Sequence, residues 1–505
     1  MEWLAGARIA LTPRPAPRLD AALEVAMLGH CPGRARLDRL RALGGTLDDM
    51  RRAGYGPAVD ALLSEEHPAP PLAGLFHLPL PFHSGAEFHD VFPDAATGAT
   101  AYASLLAGDR AWLPRAVDDF FANGGETLWV VRVPAEEGQA GFFPTADTVF
   151  HDTTTLRGLA TLLVIPTVGL VAFPDLERLQ VPAQLPDVPR VRIENPRPRF
   201  LPCGTGTDDN NRERRAASEL VTMPEPMAID TLLRNILPMI SAQRPDIQCL
   251  LTLPLKYSGS AGSPSVSEPA LRRLSEIRDG GSGHLLRHVQ FLFPYLRGPG
   301  FDLHSPTGVI AGKQAEAAHL RGHWSSVGAH PLTSNGLPYP PVSMAECLAL
   351  RDEPGIGILQ TRVDSSGAGR LFLDDERLVV PALPPQDYAE ADDRRRFDGF
   401  RSAEIMRFLG YLRRQLQSLG DQLVFNADMD DPRPRLMLDQ FFRALHRRGA
   451  LRGHLPEDAF RITQSIPREN TIQFEIEITP AFPIDRIFLT FVNANGEWQG
   501  GIVDG

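Results

Sequence analysis

The sequence predicts an α/β (α+β) protein of more than one domain, and three stretches carry that reading. In residues 113–133, LPRAVDDFFANGGETLWVVRV, a short amphipathic helix meets a glycine stop and then a buried strand. Residues 150–175 repeat the alternation, with Leu156, Leu159 and Leu163 at helical spacing ahead of the apolar run 168–173. Residues 405–479 add two amphipathic helices and a strictly alternating strand.

The elements follow in chain order. Residues 7–12 form one plausible strand, and Pro13, Pro15 and Pro17 prevent its ladder from continuing, so it pairs with something distant in sequence. Residues 23–28 read as a buried strand, 34–65 as two helical segments, and 68–81 as a proline-rich connector. The chain then passes Phe88 and Phe92 into a helix over 102–106. In the next helix Ala116, Val117, Phe120 and Phe121 share one face, with Arg115, Asp118 and Asp119 turned to water. Asn123-Gly124-Gly125 stops it, because glycine tolerates the left-handed backbone of a helix end. The strand 128–133 follows, and after the helix at 156–163 comes a strand closed by Pro174-Asp175.

Residues 183–230 are dense in Pro, Gly, Asn, Asp and Arg and read as a long insertion loop. A helix at 232–240 and a strand at 248–255 restore regular structure, and 257–267 is again loop. Ile405, Phe408, Leu409, Leu412, Leu416 and Leu419 mark a long helix, 423–425 a short strand, and Leu438, Phe441, Phe442 and Leu445 a second helix. In 471–479 Ile472, Phe474, Ile476 and Ile478 alternate with Gln473, Glu475 and Glu477, the pattern of a half-buried strand. Pro480 and Pro483 then interrupt the chain before a last strand at 487–492. That strand is either an ordinary edge strand of its own domain or a donor to a neighbour.

Length and composition bound the function. A chain of 505 residues holds two or three domains, and 43% hydrophobic with 22% charged residues is the balance of an ordinary globular protein. A net charge of -11 argues against a broad nucleic-acid-binding surface. Cys31, Cys203, Cys249 and Cys347 are widely spaced, as expected of a reduced cytoplasmic protein rather than a disulfide framework or zinc site. Neither a signal peptide nor a membrane span is expected, since the apolar run 158–173 is broken at Thr161, Pro166 and Thr167.

No chemistry-bearing motif emerges. The segment 308–314, GVIAGKQ, has glycines one residue too close for a phosphate loop, and Gln314 stands where Ser or Thr would hold magnesium. His319 and His323 sit four apart without the metalloprotease glutamate, and Gly322 weakens the helix between them. Asp428, Asp430 and Asp431 lack a calcium loop's glycine and closing glutamate. No GxSxG occurs. Catalytic residues, cofactor and metal are therefore all expected to be none.

Several phrases together carry a family resemblance. FF-x-NGG followed by WVVRV resembles the tail sheath proteins of contractile phages and contractile injection systems. So does the ordered set Pro294, Pro306-Thr307-Gly308, Ala311-Gly312, Arg321-Gly322 and Trp324. The C-terminal order of helix, FN-x-D, helix, GALRG and AF is similar to the sheath C-terminal domain.

The resemblance implies a multidomain tail-sheath-like fold: an N-terminal arm over 1–20, an outer inserted domain over 21–285 and an inner C-terminal α/β domain over 286–505. It implies a helical homo-oligomer around an inner tube protein, attached to a baseplate, that drives ejection by contraction. Its partners would be other sheath subunits, with no nucleic acid and no membrane insertion, in a phage-tail-like particle in the cytoplasm. The subunit-interaction residues would lie on the terminal strands, at Ile9 and Leu11 and at Ile487, Leu489 and Phe491. The arm lacks the family's proline-glycine-tyrosine phrase, and the tail 493–505 runs past its usual end. Both features fit an alternative, a sheath-like cap that does not polymerise. A cytoplasmic α/β enzyme with a site built from separated residues is the alternative of another class.

Overall fold

A computed structural model describes residues 22–64, 68–104, 107–181, 227–257, 264–299, 302–352, 354–363, 369–380, 401–423, 432–468, 471–481, 487–494 and 497–503. The strand expected at 7–12, most of the insertion loop, and Cys203, Asp428, Asp430 and Asp431 lie outside them. The described residues divide into two compact units, one within residues 22–411 and the other within residues 412–505.

The larger unit is built on one sheet. Its strands are β1 (Glu24–Gly29), β2 (Pro79–Phe82), β3 (Leu128–Arg132), β4 (Val168–Ala172), β5 (Gln248–Thr252), β6 (Val289–Phe293), β7 (Pro331–Leu332), β8 (Gly357–Val363) and β9 (Gly369–Leu373). They lie in the order β7-β9-β8-β6-β5-β4-β1-β3-β2. The central run from β3 to β8 is parallel, with antiparallel strands added at both ends. Parallel neighbours need crossovers, and helices supply them: α1 (Leu113–Ala122), α2 (Pro174–Arg178), α3 (Ile229–Gln243) and α4 (Thr307–Arg321). Strands β3, β4, β5 and β6 are buried along their whole length, as parallel strands covered on both faces are. Helix α5 (Ala403–Leu423) begins in this unit.

In the smaller unit, helix α6 (Arg433–Arg447) precedes a sheet of β10 (Phe460–Arg468), β11 (Thr471–Ile478), β12 (Ile487–Ala494) and β13 (Glu497–Val503), all antiparallel and in that order. Ile472, Phe474, Ile476 and Ile478 are buried on one face, as their alternation predicts.

The architecture departs from the sequence reading at specific places. One sheet runs across residues 285 and 286, where the resemblance implies a change from outer to inner domain: β6 pairs with β5 on one side and β8 on the other. The expected connector at 68–81 ends in β2, whose Pro79 and Pro81 are tolerated because it is the outermost strand and needs hydrogen bonds on one side only. The helix expected at 102–106 gives way to a strand, Ala99–Ser104, folded back on Gly108–Arg110. Five residues are too few to repay helix nucleation, and the positive φ of Gly108 lets the chain turn back. The loop at 257–267 contributes to a hairpin, Leu255–Tyr257 with Pro264–Val266, and the helix Glu268–Arg278 after it has no counterpart in the sequence reading. The helix around 156–163 shortens to Ala160–Leu163, and α5 continues to Leu423, the expected start of a strand. The tail beyond residue 493 forms β13.

Candidate functional site

The sheet order identifies where an α/β protein of this kind would bind a ligand. Chain order reverses at β1: β3 lies on one side of it, and β4, β5, β6 and β8 follow on the other. Ligands of open parallel sheets bind outside the carboxyl ends of the strands at such a switch point. Here that place is filled by the chain itself. Asp175, in the Pro-Asp phrase after β4, is fully buried. Its Oδ2 accepts from the backbone N–H groups of His30 at 2.9 Å and Leu113 at 3.0 Å, and its Oδ1 from Trp112 N–H at 2.9 Å. The carboxylate thus sits at the N-terminus of α1 where a ligand anion would sit. Gly29 makes the approach possible, since a Cβ there would lie 2.5 Å from Asp175 Oδ2 and 2.6 Å from Leu113 Cβ. At the end of β3, Arg132 donates to the carbonyls of Cys31 at 2.9 and 2.6 Å and of Gly74 at 2.6 Å, with its guanidinium 4.4 Å from the Phe76 ring centroid. Asp175 and Arg132 are both committed to structure.

The two family-like phrases meet across the packing of α1 on α4. Gly308 and Gly312, one helical turn apart, face the backbone of α1. A Cβ on Gly308 would lie 2.4 Å from the Ala116 carbonyl oxygen, and one on Gly312 2.3 Å from that of Phe120. Asn123 closes α1 and bonds Thr333 twice: its Nδ2 donates to the Thr333 carbonyl at 2.8 Å, and its Oδ1 accepts from Thr333 N–H at 2.8 Å. Asp119, expected at the water-facing side of α1, is buried, because His304 and Arg115 enclose that flank. Burial raises its pKa to about 6, and burial together with Arg115 lowers that of His304 to about 3.

A polar cluster follows the Arg-Gly-x-Trp phrase. Glu376, fully buried, accepts from Arg407 at 2.6 and 3.1 Å, from Gln314 Nε2 at 2.6 Å and from Val327 N–H at 2.8 Å. Burial pushes Glu376 up, but Arg407 and these donors hold it below the usual carboxylate range. Glu404 beside it is raised to about 8 by burial and by the Glu376 charge. Trp324 packs edge-on against Phe408 at 5.7 Å, and His323 stacks on Tyr411 at 4.2 Å. His323 is thus a packed core residue, and His319 lies 3.4 Å from Glu126. Sequence reasoning missed Asp175 and Glu376 as organising residues. The Pro-Asp pair after a strand was a usable signal for the first, whereas the acidic run 374–376 gave none for the second.

Of the expected assembly residues, Ile9 and Leu11 lie outside the described residues. Ile487, Leu489 and Phe491 lie on β12, which pairs with β11 on one side and β13 on the other. Leu489 and Phe491 are buried. The prolines after β11 therefore precede a paired strand rather than an isolated one. Cys31, Cys249 and Cys347 are buried free thiols. Among the described residues, no group of three His, Cys, Asp or Glu side chains is placed to hold a metal, and no helix is long and apolar enough to cross a membrane.

The fold of this chain is that of contractile tail sheath proteins. The particular likeness is to the helical sheath of the anti-feeding prophage in its contracted state: TM-score 0.50 at 15% identity over 96% of this chain and 98% of that one. The sheath complex of an extracellular contractile injection system, PVC, in its contracted state gives 0.47 at 11% identity over 81% and 86%. The sheath tail protein of Desulfitobacterium hafniense gives 0.47 at 8% identity over 95% and 98%. No protein-family model matches the sequence, and the comparison with curated proteins finds no match.

Proposed function

We propose that this chain is the structural subunit of a contractile tail sheath, which surrounds an inner tube and drives its ejection by contraction. The observation that carries the proposal is the end-to-end likeness to the anti-feeding prophage sheath, 96% of one chain over 98% of the other. The filled switch-point crevice supports a structural rather than a catalytic role, since Asp175 occupies the place a ligand would take. Copies of the chain would assemble helically on the tube, anchored at a baseplate, in a phage-tail-like particle. Two packings of a subunit interface that differ by a few kcal/mol each would sum over many copies to a large stroke. The smaller unit, with its four-stranded sheet, would carry the contacts between copies.

The pairing of β12 on both sides favours a second reading, a cap or end subunit that does not exchange strands. Negative-stain electron microscopy of the purified full chain separates the two. Long hollow tubes support the polymerising sheath, whereas monodisperse particles at every concentration overturn it and leave the cap.

A further inference from the structure

Residues 143–157 form a surface loop that returns to where it began. Leu159 N–H donates to the Phe142 carbonyl at 2.9 Å and closes the neck. Beyond the neck the loop bonds to itself: Val149 N–H to Thr155 Oγ1 at 2.9 Å, Asp152 N–H to the Val149 carbonyl at 2.9 Å, and Thr154 N–H to Asp152 Oδ1 at 3.0 Å. A loop whose ends meet and whose interior is bonded to itself opens as one unit. His77, just ahead of β2, ties the neck down. Its side chain is only 9% exposed. Its Nδ1 accepts from Gly158 N–H at 3.2 Å, and its Nε2 lies 3.0 Å from Glu137 Oε2. A backbone N–H can only donate, so Nδ1 carries no proton and Nε2–H donates to Glu137. The ring is therefore neutral and held in one tautomer.

We propose that His77 is an acid-sensitive clasp on the loop 143–157, closed while its ring is neutral and opened when Nδ1 takes up a proton. A protonated imidazole has two donors and no acceptor. Nδ1–H and Gly158 N–H would then confront each other across the present 3.2 Å. Glu137 gains from the new charge and keeps the ring, so Gly158 is the group that must leave. Gly158 is buried, where an N–H without an acceptor is costly, and moving out to water relieves it. Burial holds the ring below the usual histidine range, against the pull of Glu137, and Arg157 adds to the lowering from the loop side of the neck. Arg132 of β3 also lies close, its carbonyl accepting from His77 N–H at 2.9 Å, but its guanidinium is spent on the carbonyls of Cys31 and Gly74. The closed loop thus binds a proton less readily than the open one. The clasp holds at pH 7 and is lost as pH falls below about 6.5. It lies within one copy of the chain and works whether or not copies assemble.

Hydrogen exchange of the full chain at pH 7, 6 and 5, read by mass spectrometry on peptides covering residues 143–161, tests the clasp. His77→Asn is the reference at each pH, so that the intrinsic pH dependence of exchange cancels. Asparagine tolerates the positive φ of 53° at this position, offers an acceptor near that of Nδ1 and does not titrate. The loop should exchange alike in the two chains at pH 7. At pH 5 it should exchange roughly threefold to tenfold faster in the unsubstituted chain, with the strands of the large sheet unchanged. Equal rates at every pH overturn the clasp, and so does an acid-induced excess spread evenly over the large sheet. If His77→Asn opens the loop at pH 7 by itself, Glu137→Gln decides. Removing that carboxylate should move the acid opening of the loop to lower pH, and an unmoved midpoint overturns the clasp.

Discussion

Both oxygens of the Asp175 side chain accept from buried backbone N–H groups, three in all, so the residue ties the end of β1 and the start of α1 to α2. Asp175→Ala leaves those donors without partners, at roughly 1–3 kcal/mol each. Urea unfolding followed by circular dichroism should show a loss of about 3 kcal/mol or more, and Asp175→Asn a smaller loss because one acceptor oxygen remains. Glu177, also on α2, behaves differently. Burial raises its pKa to about 8, and its Oε1 accepts from Thr252 N–H at 3.0 Å. The folded state therefore holds a proton that the unfolded state releases at the ordinary carboxylate pKa. Its contribution is fully present at low pH and is lost as pH rises through about 8. Glu404, also raised to about 8, adds a slope of the same sign. Urea midpoints should fall as pH rises from about 5 to about 8, and less so in Glu177→Gln, which keeps the shape and loses the charge.

At the scale of elements, the contact of α4 with α1 sets what substitutions the fold accepts. Gly312→Ala drives a Cβ into the Phe120 carbonyl oxygen at 2.3 Å, a backbone atom that cannot rotate away. At Gly45, in the helix Gly44–Met50, a Cβ would have nothing within 4 Å of it. Gly45→Ala should raise stability by roughly 0.5–1 kcal/mol through helix propensity, while Gly312→Ala should lower it despite the same propensity gain. Thermal melts of the two variants give the opposite signs directly. The sequence displayed the parts of this contact, the glycines of α4 and the FF-x-NGG end of α1, because each is a local pattern. It did not display that they touch, since 185 positions separate Asn123 from Gly308. The burial of Asp119 was hidden for the same reason: helical periodicity marks it polar, and His304, which encloses it together with Arg115, is distant in sequence. Strand β2 escaped because proline excludes a central strand but not an outermost one.

For the whole molecule, the division of the chain is what periodicity could not reveal. Helix and strand patterns look alike on both sides of residue 285, and nothing local tells whether successive parallel strands join one sheet or two. The sheet order answers it: β5 from before that point and β6 from after it are neighbours over Val289–Leu292, so any cut there severs a ladder buried on both faces. A chain divided between residues 285 and 286 should consequently yield two parts that are insoluble or non-cooperative when made separately. Each would expose the edge of a buried parallel strand, which has neither proline nor charge to keep it from aggregating. Producing both parts together should recover a soluble complex whose melting is a single transition. A soluble fragment 22–285 that melts cooperatively alone would instead mean that the large sheet is two independently stable halves, and that the outer and inner domains implied by the family resemblance are separable after all.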